Sequence, residues 1–134
     1  MKKTLALFAL FALFASPASI QTLADARRAY GQKEYEKAFA MLESLAQSDG
    51  RNSEVHLLLG HVSSKLGKWD KAIQSFEETT RLDPESVAAY LQLGFLYEKR
   101  KDNVKAAEAW AKVLSLAKNE KTRELAQKHL NNLK

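Results

Sequence analysis

The 134 residues are enough for one domain. An apolar content of 46% is enough for a core, and five Gly and two Pro leave little material for the tight turns of a β protein. The chain has no Cys, which excludes a disulfide, a thiolate metal site, a redox pair and a lipid-anchored N-terminal Cys. The formal net charge is +5, a value whose meaning depends on where along the chain the charges lie.

The chain opens with Lys2 and Lys3, then an unbroken apolar run of eleven residues from Leu5 to Ala15. Ser16-Pro17-Ala18 follows, with small residues at the positions a signal peptidase reads. As a helix the run would span about 16 Å, roughly half the hydrocarbon core of a bilayer and too short for a stable anchor. Phe8, Phe11 and Phe14 alternate with Leu and Ala all round the segment, so it has no polar face to make it an amphipathic surface helix. The expectation is a secretory signal peptide over residues 1–18, cleaved after Ala18, with cleavage after Ala24 as the alternative. Its short n-region resembles a bacterial signal, so the mature chain is expected to be periplasmic or secreted, with no stable membrane insertion after cleavage.

Without Lys2 and Lys3 the chain carries nineteen basic and sixteen acidic residues, a net of +3. Residues 19–86 hold nine basic and eleven acidic, and residues 87–134 hold ten and five. The basic second half raises the possibility of a polyanion or a membrane surface as partner. Lys99-Arg100-Lys101, however, falls at a predicted helix C-terminus, where the macrodipole favours cations. No aromatic-plus-basic stripe accompanies it in sequence, as single-strand binding would want. Solvated surface is the better reading, and no nucleic-acid partner is expected.

Shifting residues 19–134 by 34 positions aligns the chain with itself. Lys37-Ala38, Lys71-Ala72 and Lys105-Ala106 coincide; Ala26, Gly60 and Gly94 fall together, as do Leu42, Phe76 and Trp110. Three copies of one unit therefore occupy 19–52, 53–86 and 87–120. Each reads as two antiparallel helices. In the second unit Val55, Leu59, Val62 and Leu66 share one helical face and Gly67 stops the helix. Trp69 to Leu82 repeats the pattern through Ala72, Ile73, Phe76 and Thr79, and Asp83-Pro84 ends it. Gly60 and Ala72 are expected to let the pair approach closely, with Phe76 and Trp69 filling the space beside them. One pair cannot bury its apolar faces alone, but stacked pairs bury a continuous core.

These residues resemble the tetratricopeptide repeat. Residues 53–86 match best, through Leu59-Gly60, Gly67-Lys68-Trp69, Ala72, Phe76 and Asp83-Pro84. Residues 87–120 carry Tyr90, Leu93-Gly94, Tyr97, Ala106 and Trp110, but have Lys101 in the turn and Lys118 in the place of Pro. Residues 19–52 diverge most, keeping Ala26, Tyr35, Ala38 and Leu42, with Gly50 in the Pro place. His56 stands where the family has a large apolar residue, which implies a looser contact. The resemblance implies an all-α fold: a right-handed superhelical solenoid of three helix-turn-helix units, closed by a capping helix over 119–133. In that last helix Leu125, Ala126, Leu130 and Leu133 form one stripe, and Lys128 stands where earlier copies have Gly or Ala, blocking a further unit.

Catalytic chemistry has little to stand on. His56 and His61 are five apart, on different helix faces, and no HExxH pattern exists. His61-Val62-Ser63-Ser64 sets Ser near His, but without an adjacent acid or a Gly-rich strained turn for an oxyanion hole. Asp70, Glu77 and Glu78 read as a solvated helix face. No phosphate-cradling loop is present, and neither an enzyme, a cofactor nor a metal is expected.

In the resembled family the helix that opens each unit lines the concave side. The 34-residue spacing then places Leu23, Leu57, Leu91 and Leu125 in one row, Arg27, His61, Phe95 and His129 in a second, and Tyr30, Ser64, Glu98 and Asn132 in a third. The leucines are read either as padding between neighbouring helices or as the floor of a peptide-binding groove edged by Arg27, His61 and His129. Family members that clamp a carboxylate terminus use Lys, Asn and Arg where this chain has Leu23, Leu57, Leu58 and Leu91, so carboxylate capture there is not implied. The resulting expectation is an exported scaffold binding a peptide or protein partner in cell-envelope assembly. Two alternatives stand beside it: a self-associating scaffold forming a homo-oligomer, or a binder of cell-wall polymer or anionic lipid through the basic second half.

Overall fold

The computed structural model describes residues 21–134; the signal segment read in residues 1–18 lies outside them. The described residues form seven helices: α1 (Leu23–Gly31), α2 (Tyr35–Ser48), α3 (Ser53–Lys65), α4 (Trp69–Leu82), α5 (Val87–Lys99), α6 (Asn103–Leu116) and α7 (Glu120–Asn132). The pairs α1/α2, α3/α4 and α5/α6 are hairpins, each packed on the next, and α7 packs on α6. This is the all-helical solenoid expected.

The helix boundaries follow from local chemistry. The side chains of Thr22, Asn52, Ser86, Asp102 and Asn119 each accept a first-turn backbone N–H, starting α1, α3, α5, α6 and α7. Thr22 and Asp25 complete a reciprocal capping box. Each hairpin turn is the same backbone device repeated. The N–H groups of Glu34, Lys68 and Asp102 donate to the carbonyls of Ala29, Ser63 and Tyr97 at 2.9, 2.8 and 2.9 Å. That closure needs a left-handed residue just past the helix. Gly67 takes it at φ 70°, but Lys33 and Lys101 take it at 62° and 60°. A side chain there costs about 1–2 kcal/mol, so two of the three turns are held in place by the packing on either side of them.

Two core clusters divide the molecule. Ala26, Ala29, Ala38, Leu42, Val55, Leu59 and Val62 join α1, α2 and α3. Ile73, Phe76, Leu93, Leu96, Trp110, Val113 and Ala126, with their neighbours, join α4 to α7. The small residues at the repeat position act as expected: a Cβ added to Gly60 would lie 2.6 Å from the Phe76 ring, and one on Gly94 would lie 2.6 Å from the Trp110 ring. The first unit meets the same constraint from the other side, with Ala26 at the glycine position and the smaller Leu42 at the aromatic one, both fully buried.

Two details differ from expectation. Trp69 does not fill the core: it is 39% exposed at the start of α4, with Lys99 over its ring. Phe76 fills the space beside Gly60 by itself. His56, in an apolar family position, is accommodated by a contact of its Nε2 with the Gly50 carbonyl at 3.0 Å, which ties α3 to the turn before it.

Candidate functional site

Side chains on the odd-numbered helices link α1 to α3 and α5 to α7. Arg27 on α1 pairs with Glu54 on α3 at 2.8 Å, and Glu98 on α5 meets His129 Nδ1 on α7 at 2.8 Å. The three rows lie on these helices, but their side chains do different things. Leu23 packs half-buried against the first cluster; Leu57, Leu91 and Leu125 pack half-buried against the second. Spaced as expected, they pack on the core while keeping part of their surface accessible.

The second row carries the exposed chemistry. Arg27 is exposed, and His61 sits edge-on to Phe76 with centroids 5.2 Å apart. Phe95, 40% exposed, stands edge-on to Trp110 at 4.8 Å and to His129 at 5.2 Å. His129 in turn stacks on Trp110 at 4.2 Å. The third row supports the second. Glu98 accepts from Trp110 Nε1 at 2.8 Å while touching His129. Ser64 turns back onto the Gly60 carbonyl at 3.0 Å, and Tyr30 tilts against Tyr35. The arrangement is a ledge of aromatic and imidazole rings built from α5, α6 and α7, with the Trp110 and His129 nitrogens both directed to Glu98.

His61 reports on the packing of this face. Burial, and after it the charge of Lys65, hold its pKa below the ordinary 6.5. The unfolded chain therefore takes up a proton more readily than the folded one. Stability from this group is complete above the unfolded value and is lost as pH falls through the window below 6.5. Denaturant midpoints between about pH 7.5 and about pH 5 should fall more steeply for the wild type than for His61→Gln, and the difference between the two curves isolates this ring.

Away from this face, the basic run Lys99-Arg100-Lys101 does have aromatic company. Trp69 lies under Lys99, and Phe39 lines the same cleft. The reading of that run as unaccompanied by aromatics is thus corrected. Both rings come from earlier hairpins, so linear sequence hides them. Among the described residues no group of three or more His, Asp or Glu is placed to hold a metal ion, and no helix is long and apolar enough to cross a membrane.

Two family models, each described as tetratricopeptide repeat, match residues 29–93 and 88–120. The chain belongs to the tetratricopeptide repeat family. Among curated relatives it is 30% identical over 93 residues to the probable UDP-N-acetylglucosamine–peptide N-acetylglucosaminyltransferase SPINDLY of Arabidopsis thaliana, covering 69% of this chain and 10% of that protein. The chain spans a tenth or less of the length of the curated relatives it matches. Among solved structures it is similar to Pseudomonas aeruginosa PcrH in complex with the chaperone binding region of PopD (TM-score 0.73, 18% identity, 82% of this chain and 86% of that one). It is equally similar to the Yersinia enterocolitica type III secretion chaperone SycD with a peptide of the translocator YopD (TM-score 0.73, 20% identity, 82% and 87%). At these identities the structures speak for the fold.

Proposed function

We propose that this tetratricopeptide protein is an exported adaptor that holds a peptide or protein partner on the face of its odd-numbered helices, in the assembly of a cell-envelope complex. The observation that carries the reading is Phe95. It is a large apolar ring left 40% exposed and braced edge-on against the stacked Trp110–His129 pair. An exposed aromatic on a rigid ledge is the kind of anchor peptide interfaces use. The PopD and YopD segments bound by PcrH and SycD support a peptide-holding role for such a fold. Export rests on the apolar run and the Ser16-Pro17-Ala18 site. Cleavage after Ala18 leaves the Thr22–Asp25 capping box intact, whereas cleavage after Ala24 would cut inside α1 and remove it.

The test is crosslinking in intact cells, mass spectrometry of the captured partner, and binding and unfolding curves for variants. Phe95→Ser should cost no more than about 1 kcal/mol of stability, since the position is exposed, and weaken binding of the captured partner by about 2 kcal/mol or more. Phe76→Ala should show the opposite balance, losing roughly 3–5 kcal/mol of stability. If Phe95→Ser unfolds the domain as readily as Phe76→Ala, or leaves partner affinity unchanged, the face is not the binding surface. Intact mass from a periplasmic extract tests export, with a chain beginning at Ser19 as the expected result.

A further inference from the structure

A second recess lies along the edge of the solenoid where the hairpin turns emerge. A cleft of about 620 Å³ opens between α2, the α3–α4 turn and the end of α5. Its floor is apolar: half-buried Phe39, buried Leu96 and the flank of Trp69. Around it stand Lys68, Lys71, Lys99 and Arg100 against a single carboxylate, Asp70. Two of these cations are already engaged, Arg100 with Asp70 and Lys71 with Glu43 at 3.0 Å. Lys68 and Lys99 make no ion pair among the described residues. Their ammonium groups instead stand 5.2 Å from the Phe39 centroid and 3.4 Å from that of Trp69. A ring face at an exposed site holds a cation weakly, so a carboxylate can take over either ammonium at little loss.

The fold does not require this arrangement. At the corresponding places one unit earlier, Glu34, Tyr35 and Lys65 stand for Lys68, Trp69 and Lys99; one unit later, Asp102, Asn103 and Leu133 do. Neither of these equivalent sets combines two lysines with a tryptophan.

We propose that this cleft docks an acidic peptide segment of a partner protein, two of its carboxylates pairing with Lys68 and Lys99 while an apolar side chain lies on Phe39 and Leu96. Charge complementarity selects the acidic character, and the recessed apolar floor selects a peptide. A single-stranded nucleic acid needs open ring faces for its bases, whereas Phe39 lies half-buried in the cleft floor. A layer of lipid headgroups would meet the lysines and leave the floor unfilled. The site is separate from the Phe95 ledge, so one partner could be gripped at both or two partners at once.

The probe is a fluorescein-labelled peptide of glutamate pairs separated by single leucines, followed by anisotropy at low salt, with tryptophan emission read on the unlabelled peptide. The wild type should bind it and shift in emission, and Trp69→Phe should bind without that shift, since Trp110 is fully buried. Lys68→Ala/Lys99→Ala should bind about tenfold more weakly or worse, with an unchanged melt because both side chains are at the surface. Serine in place of the peptide's leucines should weaken binding to a similar degree, and Phe95→Ser should not alter it. The proposal is overturned if the peptide does not bind, if the double variant binds as tightly as the wild type, or if Phe95→Ser is the variant that loses binding. It is also overturned if the serine peptide and phosphatidylglycerol vesicles bind equally well through Lys68 and Lys99, which would make the cleft a general polyanion patch.

Discussion

Trp110→Ala should cost the domain about 3–5 kcal/mol, the range for emptying a buried aromatic site, out of a total of about 5–15. The ring is fully buried, stacked against His129, met edge-on by Phe95 and tied through Nε1 to Glu98. Its loss therefore opens a cavity and leaves a half-buried carboxylate without its indole partner. Gly94→Ala attacks the same contact from the opposite helix. The new Cβ would sit 2.6 Å from the ring, and a ring held on this many sides cannot retreat. Overpacking of this kind costs about 1–3 kcal/mol. The two changes must then be strongly coupled: in a Trp110→Leu background, Gly94→Ala should cost almost nothing. A double-mutant cycle by urea denaturation measures this. Additive costs would mean that Gly94 is required for helix geometry and not for the indole. The first unit already carries the compensated pair, with Ala26 at the glycine position and Leu42 at the aromatic one.

That reciprocity explains why the hairpins are legible in the sequence. The positions that coincide at 34-residue spacing are the ones where two helices touch, so small and large residues recur at fixed places whatever the surface does. The capping side chains and the left-handed turn residue are equally local, and Lys101 stands out in the sequence itself as a departure from glycine. What escapes is contact between units at the surface. Trp69 occupies a turn position that reads as filler, yet it stands 39% exposed, with Lys99, thirty residues later, over its face. That meeting depends on how far one hairpin is offset from the next, which no periodicity encodes. The leucine row escapes in a subtler way. Spacing places Leu57, Leu91 and Leu125 correctly on their helices, but whether such a row lines a groove or seals a seam depends on the rotation between units. These leucines pack half-buried against the second core cluster, whereas Phe95 stands 40% exposed.

Removing residues 119–134 should leave a domain that melts at least about 20 °C lower or does not fold. Helix α7 covers the far side of α6: Ala126 is fully buried, and Leu125, Leu130 and Leu133 pack half-buried against the cluster that contains Trp110, Val113 and Ala117. Arg123 donates to the Leu114 carbonyl at 2.9 Å. A fully buried leucine is worth about 1.5–3 kcal/mol, so three half-buried ones contribute roughly half that each. The apolar surface uncovered on α6 adds a comparable amount, for a loss of about 5 kcal/mol. At about 4–8 °C per kcal/mol for a domain of this size, the melting shift follows. The other side of α7 has nothing to offer a further hairpin. Leu59-Gly60 and Leu93-Gly94 recur there as Gln127-Lys128, both exposed, with Gln127 donating to Asn131 at 3.0 Å. Because the truncated chain can fail to fold for want of any core, Ala126→Asp supplies a milder version: it puts a charge into the α6–α7 seam and leaves the rest of the helix in place. Ala126→Asp should destabilise by several kcal/mol, whereas Lys128→Ala on the outer side should be neutral within about 0.5 kcal/mol. Melts of the three variants decide the matter: if Ala126→Asp is as harmless as Lys128→Ala, or the truncation leaves the transition where it was, α7 is not what closes the core.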